Sequence, residues 1–390
     1  MRNDMSGAFK KIKKRRVLII SAGGLQGGLQ CCYIAATIDT WEIITHSFIP
    51  YPQKIAQLLE QTSIDSSLSV TFDDLAWLDY RLSLLITECA KTTLAQLPTA
   101  LRPPHFAILS KPSIWRGVTV DLQQPSNWNL SLGDAQHLAS SLHIPVVSDL
   151  RRHQCIAGGH GNLPVNYGNR CIAAPCGGIV IFLNIGLAAR MTVVDTGKNA
   201  ILLDSDTGPG TCCINVLMKQ RSSPGENEGF DRDGSHASRG AVNGDCLKIL
   251  SEDPWFLKPA PKQASPQLFN HLLQYAQFSA LSENDRLATI TALTARTAYD
   301  FYRREFKQLS SGQVVFLSGG GSHNQTLLQY LQTYFDTIPL KSVEELGIPV
   351  NMRIPLALGL TVNAYVGGVP IDWESGMNPK VGPIGKWVFP

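Results

Sequence analysis

Leu203-Asp-Ser-Asp-Thr-Gly-Pro-Gly-Thr211 decides how this chain reads. An apolar strand, Ala200–Leu203, runs into an Asp and then a Gly-Pro-Gly turn, which carries a carboxylate to the end of a strand. Asp206 is therefore either the cap of its own turn or a general base presented by a strand end. Asp204, two residues earlier, is read as facing the other side and is left out of the site. The natural companion is Val17-Leu-Ile-Ile-Ser-Ala-Gly-Gly-Leu-Gln-Gly-Gly-Leu-Gln30, a strand, a glycine-rich turn and the start of a second strand, Cys31–Ile38. Converging backbone N–H groups in such a turn make a phosphate cradle, with Gly23 and Gly24 at its tip.

Outward from these two segments the chain alternates strands and helices. Trp41–Pro50 reads as a strand and Phe72–Leu97 as a helix; Val146–Asp149, Gly178–Ile185 and Met191–Val194 read as strands. Residues 222–240 form a loop. Pro266–Phe278 and Asp285–Phe306 read as helices, and residues 376–390 as an irregular cover. Val314–Leu317 leads into Gly319-Gly-Gly-Ser-His-Asn324 and a further helix. That turn either holds an anion through Gly319, Gly320, Gly321 and Asn324 or merely starts the helix.

With 390 residues the chain suits two domains; 44% hydrophobic and 17% charged residues describe a globular protein. A net charge of +3 is too mild to imply nucleic acid, and no apolar run is long enough for a membrane span. The run Lys10–Arg16 is either an anionic-surface or targeting patch or a solvated lead-in to the strand at Val17. Nine cysteines without metal-site spacing read as small buried hydrophobes in a cytoplasmic protein.

Taken together, Ser131-Leu-Gly-Asp134, Asp149-Leu-Arg-Arg152, Ala157-Gly-Gly-His-Gly161, Leu183-Asn-Ile-Gly186, Asp206-Thr-Gly-Pro-Gly210, Asp231-Arg-Asp-Gly234, Asp253-Pro-Trp-Phe256 and Gly319–Asn324 resemble the anhydro-N-acetylmuramic acid kinases and levoglucosan kinases. The resemblance implies an α/β fold of two ribonuclease-H-like, actin-like ATPase domains with an inter-domain cleft. We place the first at residues 1–142 plus 355–390 and the second at 143–354. It also implies a homodimer, and Asp206 as the base activating a water that opens the anhydro bridge. Asp149, Arg151, Arg152, Gly159, Asn184, Thr207 and Gly208 are expected around a small-molecule substrate. Asp149 and the two arginines serve equally as a structural salt link. His153 or His160 is a candidate acid partner for Asp206.

The chain departs from the family pattern in its first loop, where Gln26 and Leu29 replace aspartates. It departs again at Leu109-Ser-Lys-Pro-Ser-Ile114, at Leu187 and at Ile354. All four positions serve phosphate, metal or close ligand approach in the resemblance. The expectation drawn is that Mg·ATP phosphoryl transfer has been abandoned. Asp206 would then serve nucleotide-independent acid/base chemistry of lyase, isomerase, cyclase or hydrolase type, with no cofactor and no metal. The alternatives are a divergent 1,6-anhydro-sugar kinase using ATP and Mg, and a non-catalytic pseudokinase.

Overall fold

Apolar residues fill the centre of β1 (Arg15–Gly23) and most of β4 (Phe106–Ser110), which pair in parallel with no apolar side chain exposed between Val17–Ile20 and Phe106–Leu109. Strands buried on both faces read as continuous apolar runs, as these do. The computed structural model describes residues 9–23, 27–64, 70–118, 127–156, 161–221, 229–306, 313–371 and 384–390.

The chain divides into two compact units, residues 1–172 with 352–390, and residues 173–351. In the first unit β2 (Gly28–Ala36) returns antiparallel to β1, β3 (Trp41–Pro50) pairs antiparallel with β2, and β7 (Val146–Ser148) lies parallel to β4. A final strand, β13 (Lys386–Val388), closes the order β13-β7-β4-β1-β2-β3. A separate ribbon joins β5 (Ser113–Val118) to β6 (Asn127–Ser131). The helix Phe72–Ala95 starts on a Thr71–Asp74 capping box and buries Leu78, Leu82, Leu85 and Ile86, which belong to this unit's core.

The second unit repeats the plan. β8 (Ile179–Ile185) turns into antiparallel β9 (Ala188–Asp195) and then β10 (Ala200–Pro209). On its other side β8 pairs in parallel with β11 (Gln313–Ser318), which pairs in parallel with β12 (Leu340–Ser342). The order β10-β9-β8-β11-β12 matches β3-β2-β1-β4-β7, with the second strand reversed in each. Two such sheets make the expected actin-like, ribonuclease-H-like α/β fold. The helix Glu283–Glu305 packs on β10 and contributes Ala295, Ala298 and Phe301 to the core.

Several elements differ from the sequence reading. The first unit boundary falls at 172 rather than 142, because β7 completes the first sheet and Gly168 presses against Ala357. Its return falls at 352 rather than 355. The helix Gln53–Ile64 and the β5–β6 ribbon carry no strong pattern and were not anticipated. Pro266–Phe278 is a 3-10 turn and a short helix rather than one α-helix, and part of the tail cover is β13. Arg15 is not solvated: Nε donates to the Phe9 carbonyl at 2.8 Å and Nη1 to Asn363 at 3.2 Å. All nine cysteines are free, and Cys31, Cys32, Cys89, Cys212, Cys213 and Cys246 are buried.

Candidate active site and family

β9 and β10 bring Arg190 directly opposite Asp206. Its guanidinium donates Nη1 to Asp206 Oδ1 at 2.9 Å, and Nε and Nη2 to the two oxygens of Asp204 at 2.8 and 2.7 Å. Thr192 Oγ1 donates to Asp204 Oδ1 at 2.9 Å, and Ala264 N–H to Asp206 Oδ2 at 2.9 Å. The exclusion of Asp204 is thereby corrected. Residues two apart on a strand share a face, so both carboxylates converge on one arginine. Burial alone draws the Arg190 pKa down, but the two carboxylates outweigh it and leave it raised.

The turn that follows is fixed by close backbone approach. A Cβ on Gly210 would lie 2.1 Å from the Gly186 carbonyl oxygen, and one on Gly208 would lie 2.6 Å from Thr297 Oγ1. Gly210 N–H donates to Leu187 O at 2.9 Å and Thr211 N–H to Gly186 O at 2.8 Å. Thr207 is buried, with its hydroxyl on the Ala189 carbonyl at 3.3 Å. Thr207 and Gly208 thus hold the turn together and leave Asp206 as its chemical group. Leu187 packs against the apolar cluster around Cys212 and Phe269 while its backbone serves the turn.

Behind Asp206 lies Lys262, which sequence reasoning missed. Its backbone joins β10, with Asp206 N–H donating to Lys262 O at 3.0 Å. Its buried Nζ donates to the carbonyls of Trp255 and Phe256 at 3.0 and 2.7 Å and sits 4.2 Å from the Trp255 ring centre. Burial, reinforced by Arg304, pushes its pKa down to about 8. The unfolded chain, with lysine near its ordinary value of about 10.4, then binds more protons through that window. Stability contributed by Lys262 accordingly rises as pH climbs from about 8 to about 10.4. Urea midpoints of wild type minus those of Lys262→Met should increase from pH 7.5 to pH 10; a flat difference contradicts the assignment.

The glycine turn after β11 is also built by contact. Gly319 has φ 86°, and a Cβ on Gly321 would lie 2.2 Å from Ile185 Cγ2. Gly320 is exposed with no neighbour within 4 Å of where its Cβ would be. Asn324 caps the helix Gln325–Tyr334 by accepting from Leu327 N–H at 2.9 Å. Asn184 accepts from Ser318 Oγ at 3.2 Å at the same end of the sheet. Helix start and open backbone edge therefore coexist, and the exposed edge at Gly320 suits a phosphate.

In the first unit Asp149 Oδ1 meets Lys111 Nζ at 2.5 Å. Arg151 Nη1 donates to the Gly161 carbonyl at 2.8 Å, Arg152 is exposed, and His153 N–H donates to Asp149 O at 2.9 Å. Gly23 ends β1. His160, Gly159, Gly24 and Gln26 lie outside the described residues. Among the described residues of its unit, Arg190 and Ala264 partner the Asp206 carboxylate. Among the described residues no group of three or more His, Cys, Asp or Glu could hold a metal. Mg²⁺ in phosphoryl transfer needs no such cage, because one or two carboxylates, water and the nucleotide phosphates suffice.

A doubled actin-like ATPase-type fold, with a strand-end carboxylate on β10 and a glycine turn after β11, is the class of architecture these units define. The family model for anhydro-N-acetylmuramic acid kinase matches residues 15–380, and the chain belongs to that family. Kinases of that name from Salinibacter ruber and Xylella fastidiosa are each 28% identical to it. These alignments cover 84% and 90% of this chain and 83% and 85% of the relatives. The one from Streptomyces coelicolor is 32% identical over 62% of this chain and 61% of its own. Among solved structures, an activator of 2-hydroxyisocaproyl-CoA dehydratase from Clostridium difficile aligns over 91% of this chain and 96% of its own. Its TM-score is 0.42 at 10% identity, too loose a likeness to carry an argument.

The family match overturns the expected loss of phosphoryl transfer. The lyase, isomerase, cyclase, hydrolase and pseudokinase readings fall with it, as does the expectation that no cofactor is used, since a kinase requires a phosphoryl donor. The physical misjudgement was to let local departures at Gln26 and Leu29, at 109–114, at Leu187 and at Ile354 outweigh a pattern spanning both units. Catalysis of phosphoryl transfer rests on positioning and charge neutralisation, which several groups share. For localisation, no described helix is long and apolar enough to cross a membrane.

Proposed function

We propose that this protein is an ATP-dependent kinase of 1,6-anhydro sugars, with 1,6-anhydro-N-acetylmuramic acid as the first candidate substrate and Mg·ATP as phosphoryl donor. The observation that carries this reading is the family match across residues 15–380, which spans both units. In the proposed reaction water attacks C1 of the anhydro sugar as Asp206 takes its proton. The C1–O6 bond breaks, O6 bonds to the γ-phosphorus, and ADP leaves. Arg190 orients Asp206 between turnovers through one carboxylate oxygen, and Ala264 N–H fixes the other. Gly319–Asn324 is assigned to the nucleotide.

Purified protein incubated with γ-labelled ATP, Mg²⁺ and either 1,6-anhydro-N-acetylmuramic acid or levoglucosan should yield a 6-phosphorylated, ring-opened sugar. Removal of Mg²⁺ should abolish the product. ATP-dependent labelling of neither sugar would refute the proposed substrate class.

A further inference from the structure

The carboxyl ends of the parallel strands in the first unit carry a row of polar residues. Ser21 on β1 lies opposite Ser110 on β4 in the ladder, and both are buried. β7 pairs with β4 through Ala107–Val146 and Ile108–Val147. Continuing that register brings Asp149 level with Ser110. Directly after Ser110, Lys111 places its ammonium 2.5 Å from Asp149 Oδ1, the two side chains only 15% and 20% exposed. One residue back on β7, the Ser148 hydroxyl is buried with no hydrogen-bond partner among the described residues.

Stability alone does not account for this arrangement. Desolvation of a largely buried ion pair offsets much of its attraction. The contact nevertheless fixes one thing: it ties a flexible lysine to a single place. An ammonium has three donors and the contact with Asp149 uses one. Ser21 and Ser110 form the ladder row immediately before Lys111. The set offers positive charge and donors at the carboxyl edge of an α/β sheet, where ligands of such sheets bind.

The second unit, with the same strand order, supplies a comparison inside the molecule. Its corresponding row is Asn184 opposite Ser318, and the chain then enters the open glycine turn at Gly319. The first unit has Lys111 where the second has Gly319: a fixed cation in place of bare backbone.

We propose that Lys111, tethered by Asp149, forms with Ser21 and Ser110 a phosphoryl-binding site in the first unit that takes the polyphosphate of the nucleotide donor. The proposal rests on the kinase reading and deepens it. Lys111 acts there as a point charge that neutralises phosphate oxygens, a task that needs no additional carboxylate for a metal.

The test is calorimetric titration of the full chain with Mg·ADP and with inorganic pyrophosphate, for wild type, Lys111→Met, Lys111→Arg and Asp149→Asn. Folding of each is checked by circular dichroism and thermal unfolding. Lys111→Met should weaken both ligands by about 10- to 100-fold, the scale of one charge-assisted hydrogen bond. Lys111→Arg should stay within a few-fold of wild type, and Asp149→Asn should fall between, because the charge remains but loses its tether. If Lys111→Met does not fold, Lys111→Gln carries the same comparison. Wild-type affinity in the uncharged variant overturns the site, as does wild-type protein that binds neither ligand. Sugar phosphorylation with ligand affinity untouched by Lys111 removes the site but leaves the kinase reading. Lys111-dependent binding without sugar phosphorylation does the reverse.

Discussion

Asp206→Asn is expected to lower kcat for phosphorylation of the anhydro sugar by about 10²- to 10⁴-fold, the range that a positioned base contributes. The KM for ATP should change little. Asparagine matches aspartate in shape but cannot take a proton from water. It also has one acceptor oxygen where aspartate has two. In wild type those two oxygens receive Arg190 Nη1 and Ala264 N–H, each at 2.9 Å. An asparagine that keeps the arginine contact turns its NH₂ toward the Ala264 N–H, so a stability loss of about 1–3 kcal/mol should accompany the catalytic one. The two effects separate cleanly. Stability loss appears in unfolding midpoints, whereas the catalytic loss persists at temperatures where the variant is fully folded. A folded Asp206→Asn enzyme with wild-type kcat would remove Asp206 from the reaction.

Most of the architecture was legible because glycine turns punctuate apolar strands. β1 into β2, β8 into β9 and β11 into Gly319 are all marked this way. The helix Gln53–Ile64 and the β5–β6 ribbon lack that punctuation. The site was legible only in part. Asp206 announces itself through its turn, but its partner Arg190 lies in the preceding strand and meets it only through ladder register. Lys111 and Asp149 are adjacent only because β4 and β7 are parallel neighbours, which no local pattern encodes. Asp204 was misjudged for a simpler reason, a two-residue period counted as one. The functional error had the same root as these omissions. The lack of carboxylates at positions 26 and 29, held by Gln26 and Leu29, was visible in the sequence, whereas basic side chains brought to the strand ends by topology were not.

Arg190→Met tests the other half of the carboxylate cluster and should have the largest effect on stability. It leaves Asp204 and Asp206, with side chains 14% and 11% exposed, on one face of β10 without the cation between them. Removing one partner from a buried ion pair costs about 3–5 kcal/mol, because the remaining charge stays desolvated. Here two charges remain and repel each other. Arg190→Lys keeps the charge but not the fork that spans both oxygens of Asp204, and should recover only part of the loss. Urea denaturation of the three proteins at pH 7.5 reads both effects. Full recovery by Arg190→Lys would show that the fork is not needed, and no deficit in Arg190→Met would show that Arg190 does not hold the pair.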